Sequence, residues 1–516
     1  MQINVVYDPS VNASNFAGGA AQMAQFRAAI SDIVNLYDTL FTNNVTFTID
    51  VGYGEYGQQT SANPGGSLSG TILPSNAVAA NQPTYLSGFT YSQLVNALTV
   101  NEGGQQSAVE QAAFATLPGS DPLGGAYLVT QEQAEALGLN GGTSNATDLV
   151  GFATTPNGGS WYYGTGTPAA DQTDFIAAAE HEISEGMGRV ALVGGNGLDS
   201  ILGLFRYSSP GVRDTTFATT GTGNTAEFSI DGGGTTLGLF NNDQTQTIYS
   251  PPGAYDLGDW APGQGPGPGG QDAYGQGNTG IRLPLTLSDT TAMNVIGWNL
   301  SFPSDVVPDL VTDWVPDGSP VSDMIVQSGG YQEIGSSGLA TSTTVQSGGQ
   351  MQVDTGGLAG EAGVLGLELV YGLDLHAVVS GGGTLVVEPG GGGGETTVLG
   401  GGELETFFHG AETSAVVSGV ETVYGVDHGA VISAKGVQLL EAGASATAVV
   451  ISSGGVQSVN QGAEATSTTV SSGGVAIVFQ GGLASGAIVD SGGVQWVGYY
   501  SGTGKSRVDY VGGLAS

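Results

Sequence analysis

The hydrophobic and polar positions of the first 300 residues predict a domain of helices and short strands. Apolar side chains recur every three or four positions from Ala20 to Leu40, which is the pattern of a helix with one buried stripe. Residues Val45–Tyr53 alternate apolar and polar side chains, as a half-buried strand does. Further strands are predicted at Ala126–Val129 and Leu149–Thr154, and a second long helix from about Asp174 to Arg189. This layout is typical of an α+β domain.

Two shorter helices and a proline-rich break complete the first 320 residues. The pattern predicts helices at Gln131–Leu137 and at Ser288–Trp298, the second with Ser288 as its N-cap. Residues 301–320 then carry a proline every few positions. Proline has no backbone N–H to donate to a helix or to a central strand. We interpret this Pro- and Asp-rich segment as a linker or cap between two domains, residues 1–300 and 321–516.

The chain after residue 320 is repetitive. Phrases such as IVQSGG, TTVQSGG and TTVSSGG recur about every 17 to 19 residues. Val, Ile and Thr suit strand positions, and glycine supplies corners with positive φ. One such unit cannot bury an apolar face alone, but a stack of units can. We therefore predict an all-β parallel β-solenoid of about ten repeats, in preference to a β-sandwich.

Composition and charge narrow the function. Of the 516 residues, 46 are acidic and 8 are Lys or Arg, which gives a net charge of −38. Binding of nucleic acid needs a basic surface, so we expect no nucleic-acid partner. The chain has no cysteine, and no apolar run reaches the roughly 20 residues of a transmembrane helix. We expect a secreted or cell-surface protein exported by a route without a recognisable N-terminal signal peptide.

The segment AEHEISEGMGR in the second long helix carries the candidate chemistry. His181 and Glu185 are four residues apart, so both project from one helix face at a spacing that can share a metal ion. Glu182 stands where H-E-x-x-H metallopeptidases have their general base, which takes a proton from metal-bound water. A carboxylate replaces the second histidine of that motif, and carboxylate oxygens also bind zinc. We expect Zn²⁺ at this site.

A third ligand must come from outside the helix. Asp199, Tyr207, Asp256 and Asp259 are the candidates, and we place Asp199 in the predicted site. Asp199 also lies in GGNGLDSIL, residues 194–202, which fits the calcium-binding nonapeptide pattern. That pattern needs neighbouring copies to complete its cage, so we interpret the single copy as a turn. Ca²⁺ remains the second cofactor hypothesis.

The order of phrases in residues 2–300 resembles a family of bacterial secreted metalloprotease-like proteins. The shared phrases include INVVYD, VTFTIDVGYGE, VTQEQAEALGL, HEISEGMGR and SDTTAMNVIGW. The resemblance implies a zincin-like α+β fold, His181 and Glu185 as metal ligands, Glu182 as catalytic base, and a protein or peptide substrate. The family has an Asp just before the phrase LFRYS, where this chain has Gly203.

The repeats resemble the passenger repeats of autotransporter adhesins of the diffuse-adherence type, in the SGG phrases and in phrases such as GGLAS. This resemblance implies a surface rod that binds host or cell-surface glycans and carries glycosylated Ser or Thr, or else a plain spacer. A solenoid that stops in mid-repeat has an open strand edge, so we also consider end-to-end association.

Two hypotheses follow for the whole chain. The leading one is a secreted or surface-displayed, metal-dependent peptidase with a β-solenoid stalk. The alternative is a non-catalytic adhesin or structural rod with a degenerate zincin-like head. Metal content and peptide cleavage separate the two.

Overall fold

The computed structural model describes residues 1–56, 71–73, 77–100, 106–139, 147–193, 198–216, 225–242, 257–267, 270–275, 279–315 and 320–499. The chain divides into two compact units, Met1–Ser304 and Asp305–Ser516. Within the described ranges, the helices are too short or too polar to cross a lipid bilayer.

The first unit combines helices and short strands, as its sequence pattern predicts. Its α-helices are α1 Gly19–Leu40, α2 Tyr91–Val100, α3 Ala108–Ala115, α4 Gln131–Ala136, α5 Phe175–Gly186 and α6 Leu287–Val295. Its strands are β1 Gln2–Tyr7, β2 Thr46–Tyr53, β3 Glu55–Tyr56, β4 Thr71–Ile72, β5 Ala79–Gln82, β6 Tyr85–Phe89, β7 Ala126–Thr130, β8 Thr147–Phe152, β9 Ser160–Tyr162, β10 Gln172–Asp174, β11 Leu198–Asp199, β12 Arg206–Ser209, β13 Val212–Arg213, β14 Thr225–Phe228, β15 Gly238–Asn241 and β16 Leu285–Thr286. Short 3₁₀ helices lie at Ala13–Asn15, Pro156–Gly158 and Leu202–Phe205.

A four-stranded sheet organises the first unit. Its strand order is β1-β2-β8-β5, with β1, β2 and β8 parallel and β5 antiparallel at one edge. Helix α1 buries the predicted stripe, which includes Phe26, Ile30 and Tyr37. Helix α5 packs against α1 and against the edge strand β5. The sheet edge therefore lies beside the helix with the candidate chemistry.

The end of the first unit differs from the prediction in one capping residue. Thr286, and not Ser288, is the N-cap of α6, because the Thr286 hydroxyl accepts from the backbone N–H of Asp289 at 3.2 Å. The Asp289 carboxylate accepts in return from the Thr286 N–H at 2.7 Å, which completes a capping box. Ser288 lies inside the helix and donates to the carbonyl of Leu237 at 2.8 Å.

Residues 301–320 contribute strands, although their prolines predict a linker or cap. Val306–Val307 pairs with Ile325–Val326, and Val311–Val315 pairs with Tyr331–Ile334, both in parallel. The described prolines of this segment, Pro303, Pro308 and Pro320, lie outside these short strands, so the ladder does not need a proline N–H. The solenoid therefore begins at about residue 305.

The second unit is a parallel β-solenoid with three sheets. Sheet 1 contains Val311–Val315, Tyr331–Ile334, Gln350–Val353, Leu367–Val370, Thr384–Val387, Glu403–Thr406, Val420–Val423, Val437–Leu440, Val456–Val459, Val475–Phe479 and Val494–Tyr499. Sheet 2 contains Val306–Val307, Ile325–Val326, Thr344–Val345, Gly363–Val364, Val378–Val379, Thr397–Val398, Val416–Val417, Val431–Ile432, Val450–Ile451, Thr469–Val470 and Ile488–Val489. Sheet 3 contains Val321–Ser322, Leu339–Thr341, Leu358–Gly360, Leu373–Leu375, Gly392–Gly394, Ala411–Thr413, Val426–His428, Ser445–Thr447, Glu464–Thr466 and Leu483–Ser485.

Stacking of equivalent residues forms the solenoid core. Residues that pair in neighbouring turns lie 19 positions apart in most pairings, as in Gln457 over Gln438. The offset is 17 in others, as in Gln438 over Glu421, and 15 where Leu358 pairs with Leu373. Alternate side chains point inward, and a column of Val, Ile, Leu, Met and Ala fills the interior. This arrangement confirms the predicted solenoid of about ten turns.

In most SGG phrases, the structure requires each of the two glycines for a different reason. In the phrase at residues 452–455, Gly454 has φ +81°, which other residues rarely adopt. Gly455 instead allows a close approach, since a Cβ there would lie 2.4 Å from the carbonyl oxygen of Ile432 in the preceding turn. Positive φ is not confined to glycine, because Ser414 and Ser467 also adopt it at 61° and 58°.

Candidate functional site

Helix α5 carries the residues that the sequence singles out. The Asp174 carboxylate caps its first turn by accepting two backbone N–H hydrogen bonds at 3.1 and 3.3 Å. The apolar side chains of Phe175, Ile176, Ala177 and Ala179 that follow are buried. The hydroxyl of Tyr37 in α1 donates to the backbone carbonyl of Glu180 at 2.7 Å. These contacts fix the direction in which the next residue, His181, projects.

One imidazole and two carboxylates meet beside α5. Nε2 of His181 lies 3.3 Å from Oε1 of Glu185 and 3.2 Å from Oδ1 of Asp259. One ligand atom from each residue lies within 4.8 Å of the others. Their side chains are 15%, 18% and 12% exposed, so the site is recessed but open to small solutes. We call these three residues the His–Glu–Asp cluster.

Asp259 reaches the cluster because its neighbours hold its segment against the β12–β15 sheet. The backbone N–H of Asn241 donates to the Asp259 carbonyl at 2.8 Å. The adjacent Trp260 stacks on Phe240, with ring centroids 4.5 Å apart. The Trp260 indole N–H donates to Asp289 at 2.7 Å. A buried aromatic anchor therefore positions a carboxylate that is distant from α5 in sequence.

A contact at Nδ1, the second ring nitrogen, orients the imidazole of His181. Nδ1 lies 3.3 Å from the carbonyl oxygen of Ala273. A proton on Nδ1 would satisfy that carbonyl and leave Nε2 free to face the two carboxylates. Burial and the charge of Arg189 lower the pKa of His181. The interactions with Asp259 and Glu185 together outweigh them, so the pKa lies well above its usual value. The cluster attracts a positive charge, either a proton or a metal ion.

Arg189 supplies a fixed positive charge next to the cluster. Its guanidinium lies 3.6 Å from Oε1 of Glu185 and 3.3 Å from Oδ1 of Asp259. The side chain is only 1% exposed and donates to the hydroxyl of Ser184 at 2.8 Å. It also lies over the ring of Tyr274, 4.5 Å from the centroid. Arg189 therefore holds the two carboxylates in place and offsets part of their charge.

Glu182 lies on the buried side of the same helix turn. Burial raises the pKa of the Glu182 carboxyl well above its usual value, and the nearby Glu185 carboxylate raises it further, while His181 and Arg189 lower it. The side-chain amide of Asn81 in β5 donates to the backbone carbonyl of Glu182 at 2.7 Å. The edge strand is thus tied to the turn that carries His181 and Glu182.

The spacing within the cluster is compatible with a shared metal ion. Two ligands at corners of a tetrahedron with bonds of about 2.0–2.2 Å lie about 3.3–3.6 Å apart. Charge-assisted N–H···O bonds are shorter, about 2.7–2.9 Å. The Nε2-to-oxygen distances of 3.2 and 3.3 Å are close to the first range. His181, Glu185 and Asp259 are therefore the residues that could hold a divalent cation.

The structure places the third member of the cluster differently from the prediction. Asp259, and not Asp199, lies beside His181 and Glu185. Asp199 is buried in β11, which pairs with β7, and its Oδ2 accepts from the N–H of Gly125 at 2.6 Å. Sequence reasoning included Asp259 among four candidates, but the Trp260 anchor that selects it is a tertiary contact.

The remaining candidates have other positions. The hydroxyl of Tyr207 donates to Oγ1 of Thr116 at 3.3 Å, and its ring packs against Arg213. Asp256 lies outside the described residues. Residues 194–197 of the nonapeptide phrase also lie outside them, so the calcium hypothesis stays a prediction.

Comparison with known proteins concerns the solenoid. Residues 428–504 match the family model described as "Adhesin of bacterial autotransporter system, probable stalk". Among solved structures, the chain is similar to the crystal structure of a TibC-catalysed hyper-glycosylated fragment of TibA. The two are 29% identical, the match covers 38% of this chain and 81% of that one, and the TM-score is 0.33. None of the curated proteins matches the chain significantly.

Proposed function

We propose that the chain is a surface-displayed bacterial protein in which the β-solenoid is a stalk. The observation that carries this proposal is the match of residues 428–504 to the autotransporter adhesin stalk family. A solenoid suits this function physically. Each turn buries the apolar side of its neighbours, so a stack can reach far without a wide globular core.

The composition of the chain agrees with display in an extracellular setting. The net charge of −38 keeps such proteins apart in solution, and the absence of cysteine removes any dependence on redox state. Adhesion to cell-surface glycans, glycosylation of the repeats and the export route remain predictions that belong to this proposal.

Accessibility on whole cells tests the display proposal. The full chain with an epitope at its N-terminus is expressed in the natural host. Antibody should bind the epitope on intact cells, and this binding should be lost after brief external protease treatment. Deletion of residues 403–455, which removes whole turns from the middle of the stack, should keep display but shorten the reach of the epitope. Equal labelling of intact and permeabilised cells supports display. Labelling only after permeabilisation contradicts it.

A second candidate function, metal-dependent peptide hydrolysis by the first unit, is favoured by the His–Glu–Asp cluster. The donor set of one imidazole and two carboxylates can bind zinc, although its hard oxygen donors make it less selective for zinc than a histidine-rich site. A bound zinc ion would lower the pKa of a water molecule and polarise a carbonyl group. His181, Glu185 and Asp259 would hold the ion. The zincin-like character of this unit is part of the same proposal.

The residues of the chain have separate tasks under this second proposal. Glu182 adjoins the cluster and its raised pKa suits a group that accepts and returns a proton near neutral pH. Strand β5 is the edge of its sheet and packs against α5. Edge strands offer backbone N–H and carbonyl groups to an extended peptide. Asn81 links that strand to the helix through the Glu182 carbonyl.

Metal content and cleavage test the second candidate. Purified full chain dialysed against zinc should retain roughly one ion per chain, and His181→Ala should retain none. The zinc-loaded chain should cleave casein or a peptide library, while His181→Ala should not. A chain that binds zinc without cleaving any peptide would support a structural metal site. A chain that binds no zinc would contradict this candidate and leave the display proposal untouched.

A further inference from the structure

Two turns of the solenoid share an unusual acidic pattern. The segments LELVYGLDL, residues 367–375, and VETVYGVDH, residues 420–428, have Glu, then Val-Tyr-Gly, then Asp at the same spacing. In both, the Glu lies in sheet 1 and the Asp in sheet 3, joined by a two-residue Tyr-Gly corner. The preceding turn uses a four-residue corner, Asp354–Gly357. The two carboxyl groups of each pair lie near enough to interact electrostatically.

All four of these carboxyl groups lie inside the solenoid. Glu368, Asp374, Glu421 and Asp427 are each 0% exposed. In the second pair, the amide of Gln438 from the next turn donates to Oε2 of Glu421 at 2.9 Å and to Oδ2 of Asp427 at 2.8 Å. In the first pair, Leu385 occupies the equivalent position above Glu368. No hydrogen-bond donor of the described residues meets either oxygen of Glu368.

A fifth carboxyl group connects the two pairs. Glu412 in sheet 3 lies between Gly393 and Asp427 in the stack and is 0% exposed. A Cβ at Gly393 would lie 1.8 Å from Oε2 of Glu412. The Glu412 carboxyl therefore fills the space beside Gly393 and extends toward Asp374 in the turn before. The five side chains form a continuous acidic seam inside the stack.

Among the residues that the structure describes, the basic side chains of the solenoid lie outside this seam. Lys435, His376, His409 and His428 are exposed on its surface. An ionised carboxylate without a partner is very unfavourable in such an interior. Neutral carboxyl groups avoid that cost.

The titration behaviour of the seam agrees with its burial. Burial raises the pKa of Asp374 to about 7 and of Asp427 to about 7, and burial raises the pKa of Glu412 to about 8. Burial together with the facing aspartate raises the pKa of Glu368 and of Glu421 well above the usual range. Gln438 and neighbouring backbone N–H groups lower these values only in part.

We propose that the acidic seam is a proton-dependent lock in the middle of the solenoid. The five carboxyl groups are neutral in the packed turns, and their ionisation loosens the stack at the two Tyr-Gly corners. The two members of each pair interact electrostatically, so their carboxyl groups lose protons in coupled steps rather than independently.

The direction of the pH effect is opposite to ordinary acid denaturation. The packed turns hold protons that the opened turns release, so the stabilisation is complete below about pH 4, the usual carboxyl range. It is lost as the pH rises through the raised values of about 7 to 8. Between these limits, opening should become about tenfold more favourable per pH unit for each carboxyl group that must ionise.

Hydrogen exchange on the full chain tests the lock. Protection factors, corrected for intrinsic exchange, should fall at least tenfold per pH unit between pH 5 and pH 7 for residues 367–375 and 420–428. The turn at residues 456–466, whose inward positions include Gln457 and Ala465, serves as an internal control and should stay nearly constant. The double variant Glu368→Gln and Glu421→Gln should show a smaller fall in protection per pH unit, because Asp374, Glu412 and Asp427 still titrate. Glu403→Gln, on the exposed side of sheet 1, should keep it.

Infrared spectroscopy keeps the proposal testable if the double variant does not fold. The wild-type chain at pH 6 should show the carbonyl stretch of protonated carboxyl groups, and this band should disappear by pH 9. Constant protection of both segments from pH 5 to pH 8, or no protonated carboxyl band at pH 6, would overturn the proposal. Stoichiometric binding of Ca²⁺ or Mn²⁺ that removes the pH dependence would also overturn it, since a cation would then hold the charges.

Discussion

Nε2 of His181 lies 3.2 Å from Oδ1 of Asp259, although the two residues belong to separate elements of the first unit. Their proximity makes Asp259 the third potential metal ligand. We predict that Asp259→Asn weakens zinc affinity by about 100-fold or more, because even outer-shell changes typically cost 10–100-fold. Asp199→Asn should leave the affinity within about twofold. Isothermal titration calorimetry with zinc measures both, and equal losses in the two variants would contradict the placement of the site.

Glu182→Gln should separate binding from turnover. The amide keeps the size of the side chain but cannot accept a proton, so peptide cleavage should fall by about 10²–10⁴-fold. Zinc content should stay at the wild-type value, because Glu182 is not part of the His–Glu–Asp cluster. Cleavage rates at saturating zinc, with metal content measured on the same sample, check this. Unchanged cleavage would exclude Glu182 as the proton acceptor.

Arg189→Gln should destabilise the first unit. The buried guanidinium is paired with Glu185 and Asp259, and removal of one partner of a buried ion pair costs about 3–5 kcal/mol. Because both carboxylates are partly exposed, we expect about 2–3 kcal/mol in the free energy of unfolding. Urea denaturation measures this free energy.

The control is Arg27→Gln, which alters an exposed arginine over the ring of Tyr7 and should change the free energy of unfolding little. Excess zinc should recover part of the loss if the metal takes over the two carboxylates.

Gly455→Ala should destabilise the solenoid, whereas Gly400→Ala should not. A Cβ at Gly455 would lie 2.4 Å from a backbone carbonyl oxygen that cannot rotate away, but at Gly400 it would meet no atom within 4 Å. Overpacking of this kind costs about 1–3 kcal/mol. Thermal unfolding followed by circular dichroism compares the two variants. A Gly455→Ala chain as stable as Gly400→Ala would show that the turns are more loosely stacked than the structure indicates.

Local sequence patterns predict most of the fold. The spacing of apolar residues gives α1 and α5 within a few positions, and the SGG period gives the stack of turns. Residues 301–320 are the main exception. Their prolines argue against regular structure, but strands of two to five residues can form between prolines when a preformed neighbour supplies the ladder. Pairing with strands of the next turn determines that these residues form strands. A local sequence pattern does not contain this information.

The sequence predicts only those members of the candidate site that lie on one helix. The i, i+4 relation places His181 and Glu185 together before any tertiary structure is known. Asp259 joins them because Trp260 stacks on Phe240, and the contact of Arg189 with both carboxylates depends on the same packing. The sequence does not predict the buried Glu–Asp pairs of the solenoid either, for a similar reason. In sequence they look like surface charge on strands, and only the register reveals that they face inward.

The offset between equivalent strands has a consequence for the evolution of the stalk. Since a turn touches only the turn before and the turn after it, a duplication or loss of one whole turn leaves the more distant interfaces unchanged. Each such event would lengthen or shorten the stack by about 4.8 Å, the spacing between paired strands. Recombination between repeats can therefore change the length of the stack without a single substitution inside the remaining turns.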